Sequence, residues 1–320
     1  MLRIHFTADD LARLRLAPAA DPLWETLLSV HTLSSRNRGA VVGDWARRAW
    51  ARMPADARLL FQLAPPRGYS ADFLTPGDGT TDLDDGVEAV LSTPRRRLRA
   101  DLARLAARPA SDEAVRLLAD GRAAALVRLG EAMRGYFRAA LAPIWRAIVD
   151  DVAADRATRG RALLDAGADG LLRALHPGSR WEAPVLSVPY PADRDLRLDG
   201  RGLLLVPSFF CRDRPVTLLD PALRPVLVYP ITPGPDRLTG GDDGRALSDL
   251  VGVTRAEVLR RLAAGPGQST TELALRLGAS LPTVSEHLTV LRRAGLASTR
   301  RDGRRSLHTI TTLGRRLLRP

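Results

Sequence analysis

The chain contains no lysine: all 48 of its basic residues are arginine. Codon usage in a GC-rich genome gives the same bias, so the placement of charge along the chain says more than its total. Cysteine is almost absent. With only Cys211, no intramolecular disulfide can form, and the residue reads as a small core side chain, with a redox sensor as the alternative. Long apolar runs are missing. The most apolar stretch, Gly202 to Phe210, is too short to span a bilayer, and the opening Met-Leu-Arg-Ile-His-Phe has charge where a signal core would be apolar. We therefore expect no membrane partner and a cytoplasmic location. Catalytic signatures are missing as well: there is no G-x-S-x-G, no G-x-x-x-x-G-K-[ST], no H-E-x-x-H and no G-x-G-x-x-G. The Gly-rich Thr239–Gly244 run has no lysine after it. No enzyme, catalytic residue or cofactor is expected. The histidines His5, His31, His176, His287 and His308 have no metal spacing, so no metal site is expected. The acids Asp78, Asp82, Asp84, Asp85 and Glu88 miss the EF-hand spacing and read as an exposed loop.

What is present is an ordinary globular composition, with 45% hydrophobic and 26% charged residues, in a chain long enough for two or three domains. The fold class expected is α+β, mainly α. Residues 1–232 read as a helical regulatory or dimerisation domain. Ile4–Phe6 forms a short strand, and helices cover Ala8–Leu16 (capped by Thr7), Pro22–Leu33, Val41–Met53, Ala55–Leu63, Arg95–Ala107 and Glu113–Leu118. A long helical stretch over Arg122–Leu175 has breaks at Pro143 and Gly160. Residues 181–231 change to short strands, with Asp199-Gly200 as a hairpin turn and many prolines at edges, which predicts a small antiparallel sheet. Residues 233–244 (PGPDRLTGGDDG) read as a linker. Trp24, Trp45, Trp50, Trp145 and Trp181 all precede it, as core or as the lining of a pocket for an unknown small-molecule effector. Arg95-Arg-Arg-Leu-Arg99 is a solvated helix start or an auxiliary DNA contact.

The tail, residues 245–320, is different. It holds 14 arginines against five acids, a net of +9 within the total of +12. So basic a small module is built to meet a polyanion, and double-stranded DNA is the expected partner. Thr254-Arg-Ala-Glu257 reads as a capping box opening a helix to about Ala264. Ser269-Thr-Thr-Glu272 opens a second helix, closed after Leu277 by Gly278. Ser280 caps a third, with Pro282 in its first turn and Gly295 beyond its end. Two helices joined by this short turn form a helix–turn–helix. In the third helix Leu281, Val284, Leu288 and Leu291 share a core face. Pro282, Thr283, Glu286, Thr289 and Arg293 fall mostly opposite, with Ser285 at the flank. With Ser280, these are the residues expected to enter a major groove. Glu286 reads equally as a plain exposed carboxylate. Asp302-Gly303 is a tight-turn pair between two strand-like runs, and Arg300, Arg301, Arg304 and Arg305 flank it: a wing able to reach phosphates or the minor groove. A last helix, Leu313–Leu318, starts at Thr311 or Thr312.

The run Thr270-Thr-Glu-Leu-Ala-Leu-Arg-Leu-Gly, then Thr283-Val-Ser-Glu-His-Leu, Leu291-Arg-Arg-Ala-Gly-Leu and Arg301-Asp-Gly-Arg-Arg resembles the ArsR-type winged-helix transcriptional regulators. The part upstream, on the Gly202-Leu-Leu-Leu-Val-Pro and Tyr229-Pro segments, is similar to the long N-terminal region of some actinobacterial members. The resemblance implies a homodimer on a pseudo-palindromic operator, usually as a repressor. Two departures stand out. Thr271–Leu277 has no Cys or His where metal sensors of that family hold ligands, and Glu286 stands where a basic or amide side chain is usual. The sequence therefore predicts a sequence-specific DNA-binding regulator. A protein–protein adaptor built on the winged helix, or a small-molecule enzyme targeted by it, are the alternatives.

Overall fold

A computed structural model describes residues 1–35, 39–66, 68–76, 79–105, 113–212, 214–232, 250–263, 267–302 and 305–318, apart from the side chains of 39–41, 302 and 305. The chain divides into two compact units, Met1–Gly240 and Gly241–Pro320. The predicted linker, residues 233–244, lies outside the described residues. The architecture is α+β and mainly helical, and no helix among the described residues is long and apolar enough to cross a membrane.

The first unit runs β1 (Leu2–His5), α1 (Ala8–Ala12), β2 (Arg15–Leu16), α2 (Pro22–Ser34), α3 (Gly39–Arg52), α4 (Arg58–Leu63), α5 (Leu83–Leu91), α6 (Arg95–Leu105), α7 (Glu113–Ala119), α8 (Ala123–Tyr136) and α9 (Trp145–Arg173). The strands β3 (Arg180–Glu182), β4 (Val185–Val188), β5 (Arg194–Arg197), β6 (Leu204–Ser208), β7 (Val216–Thr217) and β8 (Val226–Pro230) follow. The expected single antiparallel sheet is instead two mixed sheets, ordered β3-β4-β1-β5 and β2-β6-β8-β7. The first residues of the chain make the difference. β1 pairs antiparallel with β4 and parallel with β5, and β2 lies parallel on β6, which is parallel to β8. β6 and β8 are buried along their whole length, as parallel strands covered on both faces are.

Several local expectations change. The Asp199-Gly200 turn forms, with φ of 51° and 81°, but β5 and β6 on either side of it belong to different sheets and make no hairpin. The helix from Ala8 stops at Ala12. Leu16 is strand instead, because the amides of Arg15 and Ala17 donate to the carbonyls of Leu203 and Leu205. Pro207 lies in β6, an inner strand, and not at an edge. The β2-side carbonyls of β6 are those of Leu203 and Leu205, so Pro207 faces the same side just beyond the end of β2, where no N–H is called for. The acidic stretch holds a helix, not a loop: Asp82 caps α5, accepting from the amides of Asp84 and Asp85, while Asp78 lies outside the described residues. The long helical region breaks at a π turn, Phe137–Leu141, and a 3-10 turn around Pro143, as expected there. Gly160, however, is helical, and the second break falls at Ala166 and Gly167, where Gly167 takes φ 62°.

Buried carboxylates join the helices to the strand-rich half. Asp10 accepts from the Gly202 amide at 2.8 Å. Glu25, on α2, accepts from Phe209 and Phe210 at 2.7 and 3.0 Å, and Asp72 accepts from Leu219 and Asp220 at 2.9 and 2.7 Å. A charge taken out of water costs free energy that such amide donors offset only in part. Burial accordingly pushes Glu25 up to about 7 and Asp72 up to about 6 against the pull of these amides, and Asp21 up to about 6 against that of the Leu23 and Trp24 amides. Trp24, Trp45 and Trp181 are core, and Trp45 Nε1 donates to the Ala140 carbonyl freed in the π turn. Trp50 is exposed and stacks on Phe61. Cys211 is buried just after β6, its Sγ donating to the Arg214 carbonyl. The Arg95–Arg99 cluster has partners inside this unit: Arg95 and Arg99 pair with Asp120, and Arg97 with Asp220.

Candidate nucleic-acid interface

The second unit is a helix–turn–helix with a three-stranded sheet. Its elements are α10 (Val253–Ala263), β9 (Gln268–Ser269), α11 (Thr270–Leu277), α12 (Leu281–Arg293), β10 (Ala297–Asp302), β11 (Arg305–Ile310) and α13 (Thr312–Leu317). One core, with Leu259, Leu273, Val284, Leu288, Leu291 and Ile310 among its members, holds the helices against the sheet. α10 starts two residues earlier than the Thr254 box predicts, after Gly252 at φ 88°. Thr254 is therefore inside the helix, and Glu257 pairs with Arg260 and Arg261 instead of capping.

The Ser269 capping box forms in full. The Ser269 hydroxyl accepts from the Glu272 amide at 3.3 Å, and the Glu272 carboxylate accepts from the Ser269 amide at 2.8 Å. Gly278, at φ 61°, then closes α11 in the left-handed region that glycine tolerates. Two residues later Ser280 caps α12, accepting from the Thr283 amide at 3.3 Å. The turn between the helices is thus fixed from both sides by backbone chemistry that the sequence encodes.

On α12 the residues Val284, Leu288 and Leu291 are buried, but Leu281, expected in the core, is 49% exposed. It is the first residue of the helix and lies beyond the packed turns. Ser280, Pro282, Thr283, Ser285, Glu286 and Arg293 are all exposed and Thr289 is half-buried. Three hydroxyls among them already have partners: Ser280 and Thr283 share a 2.7 Å bond, and Thr289 donates to the Ser285 carbonyl at 2.9 Å. Each would have to give up or share that bond to meet a base edge, whereas Glu286 and Arg293 make no such bond among the described residues.

β10 and β11 form an antiparallel hairpin from Ala297↔Ile310 to Asp302↔Arg305, and β9 adds a third strand on β11. Arg300 and Arg301 are exposed on β10. Arg305 opens β11, and Gly303 and Arg304 lie outside the described residues. Neither β9 nor the group that fixes the base of the hairpin is among the sequence expectations. That group is His308, which is buried and bonds Thr270 through Nε2 at 3.0 Å and Thr299 through Nδ1 at 2.8 Å. One imidazole thereby joins the start of α11 to both strands of the wing. Burial, then the charge of Arg292, holds its pKa below the usual histidine value, so it is neutral at pH 7, with one ring nitrogen donating and the other accepting. The hydroxyl residues Thr299, opposite it on β10, and Thr270, at the start of α11, were the available sequence signal.

Among the described residues, Arg292, Arg293, Arg300, Arg301, Arg315 and Arg316 are exposed and take part in no ion pair. Arg292, Arg315 and Arg316 were not among the predicted contacts. The sequence of residues 254–300 matches the model of a family described as a helix-turn-helix domain. The chain carries a helix-turn-helix domain. Domains of this class bind DNA in transcription regulators. The match ends at Arg300, before the second strand of the wing. No curated protein and no solved structure matches the chain.

Proposed function

We propose that the protein is a sequence-specific transcriptional regulator of the winged-helix, ArsR-type kind. It acts in the cytoplasm as a homodimeric repressor and has no catalytic role. The exposed polar face of α12 beside unpaired arginines carries this reading. α12 enters the major groove with Thr283, Glu286 and Arg293 toward base edges, and the Glu286 carboxylate accepts from cytosine N4. Arg300, Arg301, Arg304 and Arg305 meet phosphate or the minor groove. The two modules of a dimer, held by the larger unit, sit about one helical turn apart.

The test is selection of bound sequences from random duplex DNA by the purified full chain, with enrichment of an inverted repeat as the expected result. On the selected site, Arg300→Glu/Arg301→Glu should lower affinity at least about tenfold for every sequence and flatten the salt dependence by roughly two units of slope. Unchanged affinity would remove the wing from the interface. One observation favours a protein-docking surface as the second reading: Leu275, 85% exposed on α11, lies beside Leu281 in a shallow apolar groove. Absence of any duplex binding would select it.

A further inference from the structure

The first unit contains a basic pocket of about 430 Å³ that the DNA-binding reading leaves unused. Its walls include Arg159 and Arg173 from α9, His176 and Ser179 from the segment after it, Arg212 from beyond β6 and Thr232 from beyond β8. It therefore lies past the carboxyl ends of two parallel strands, where open sheets commonly form ligand crevices. The volume suits a small molecule. Among the described residues no carboxylate lines it.

The three arginines are not equivalent. Arg159 is held in place: its guanidinium pairs with Asp155 at 3.0 Å, donates to the Ala174 carbonyl and lies 5.8 Å from the Tyr229 ring centroid. Tyr229 in turn donates to Asp155 at 2.6 Å. The Asp155 charge is thereby used up, and Arg159 Nε remains buried without an acceptor. Arg173 and Arg212 are exposed at the pocket and in no ion pair among the described residues. His176 Nδ1 accepts from the Gly178 amide at 3.0 Å, which places the proton of the neutral ring on Nε2 as a further donor. The cavity thus collects guanidinium and imidazole donors around positive charge that, among the described residues, is balanced only at Arg159. Guanidinium groups recognise carboxylate and phosphate by paired hydrogen bonds, and a concave wall concentrates their field.

We infer that this pocket binds a small oxyanion with two or more negative charges, carried on phosphate or carboxylate groups, and that the bound anion adjusts DNA affinity. The regulatory half rests on the DNA-binding reading above. Its physical basis is position: Thr232, in the pocket wall, is the last described residue before the segment that continues into the helix-turn-helix unit. An anion held against Pro230–Thr232 acts on the start of that connection.

The experiment is calorimetric titration of the full chain with sodium pyrophosphate and, separately, with succinate, at roughly 0.15 M salt so that loose surface charge is screened. The two arms distinguish phosphate from carboxylate recognition. At least one probe should bind the wild type. Arg173→Gln/Arg212→Gln should weaken that binding about tenfold or more, while Arg300→Gln/Arg301→Gln leaves it unchanged. Both altered pairs are exposed and in no ion pair among the described residues. No binding of either probe, or loss through the wing pair and not the pocket pair, overturns the site. In the second step, the saturating probe should shift the affinity for the selected duplex at least threefold in the wild type and not in the pocket variant; an unchanged affinity overturns the regulatory role. If the chain binds no DNA, the DNA-binding reading fails while the titration still decides the pocket.

Discussion

The Met1–Gly240 unit buries carboxylates: Asp10, Asp21, Glu25, Asp72 and Asp101 all lie inside it. The Gly241–Pro320 unit buries none among its described residues, where the interior polar groups are the neutral Gln268 and His308. In the first unit negative charge is consumed internally, as acceptors for the amides of loops that no strand partner reaches. In the second, hydroxyls and neutral rings do that work, and arginine is left facing water. The net charge of +12 is therefore not a uniform property of the molecule. It belongs mostly to the smaller unit, which has no internal use for it. What looks like a compositional bias in the whole chain is, in one place, a surface prepared for a polyanion.

The comparison is sharpest at Glu25. Glu25→Ala leaves the buried amides of Phe209 and Phe210 without acceptors, and an unsatisfied buried donor costs about 1–3 kcal/mol. We expect a loss of roughly 3 kcal/mol for the two together. All five tryptophans lie in the first unit, so their fluorescence in a urea titration reads that unit alone. An unmoved midpoint would mean that the carboxylate does not hold the loop.

Next is Gly314→Ala in the second unit. A methyl group there would lie 2.2 Å from the Leu296 carbonyl oxygen and 2.8 Å from Ile310, so α13 must lift from the base of the wing. We expect a cost of about 2 kcal/mol, visible as faster amide exchange in β10 and α13 with no change in the tryptophan midpoint. Protection as in the wild type would show that α13 is not packed as described.

The smallest effect is on pH. Glu25 ionises at about 7 in the folded chain and near 4.3 in an unfolded one. Its protonated form therefore contributes stability that is fully present below about pH 4 and is lost as pH rises through 7. Asp21 and Asp72, raised to about 6, act in the same direction. His31, lowered by burial to about 4, acts the opposite way, but only below the ordinary histidine value. Between pH 6.5 and 8 the tryptophan midpoint should fall in the wild type and fall less in Glu25→Ala; a midpoint that rises would reverse the sign assigned to these carboxylates.

The second unit was legible because its chemistry is local. Capping boxes, a left-handed glycine and a run of spaced leucines each act within a few residues, and Ser269, Gly278 and Ser280 occupy the positions their types predict. The same locality explains the misses. Thr254 has a capping sequence but lies inside a helix that Gly252 starts, and Leu281 has the right spacing but lies off the end of the packed face. The first unit was less legible because long-range pairings decide it. No local signal says that Leu2–His5 inserts between β4 and β5, or that Arg15–Leu16 leaves a helical pattern to lie on β6. The Asp199-Gly200 turn was correctly placed, yet its flanking strands pair with residues almost 200 positions away. The exposure of the α12 face and of Arg300 and Arg301 follows from local spacing. The contacts of His308 and the pocket around Arg159 do not, since both depend on which segments the fold brings together.

Pro207 has a further effect, on alignment. Strands as short as β2 have few bonds to choose one register over another, and a parallel pair can slide by two residues without turning any side chain to the wrong face. Sliding β2 toward the carboxyl end of β6 would put one of its carbonyl oxygens opposite residue 207, where proline has no hydrogen to give. The slipped pairing loses a bond that the observed one never needs. One imino acid thereby helps fix where the first helices of the chain begin.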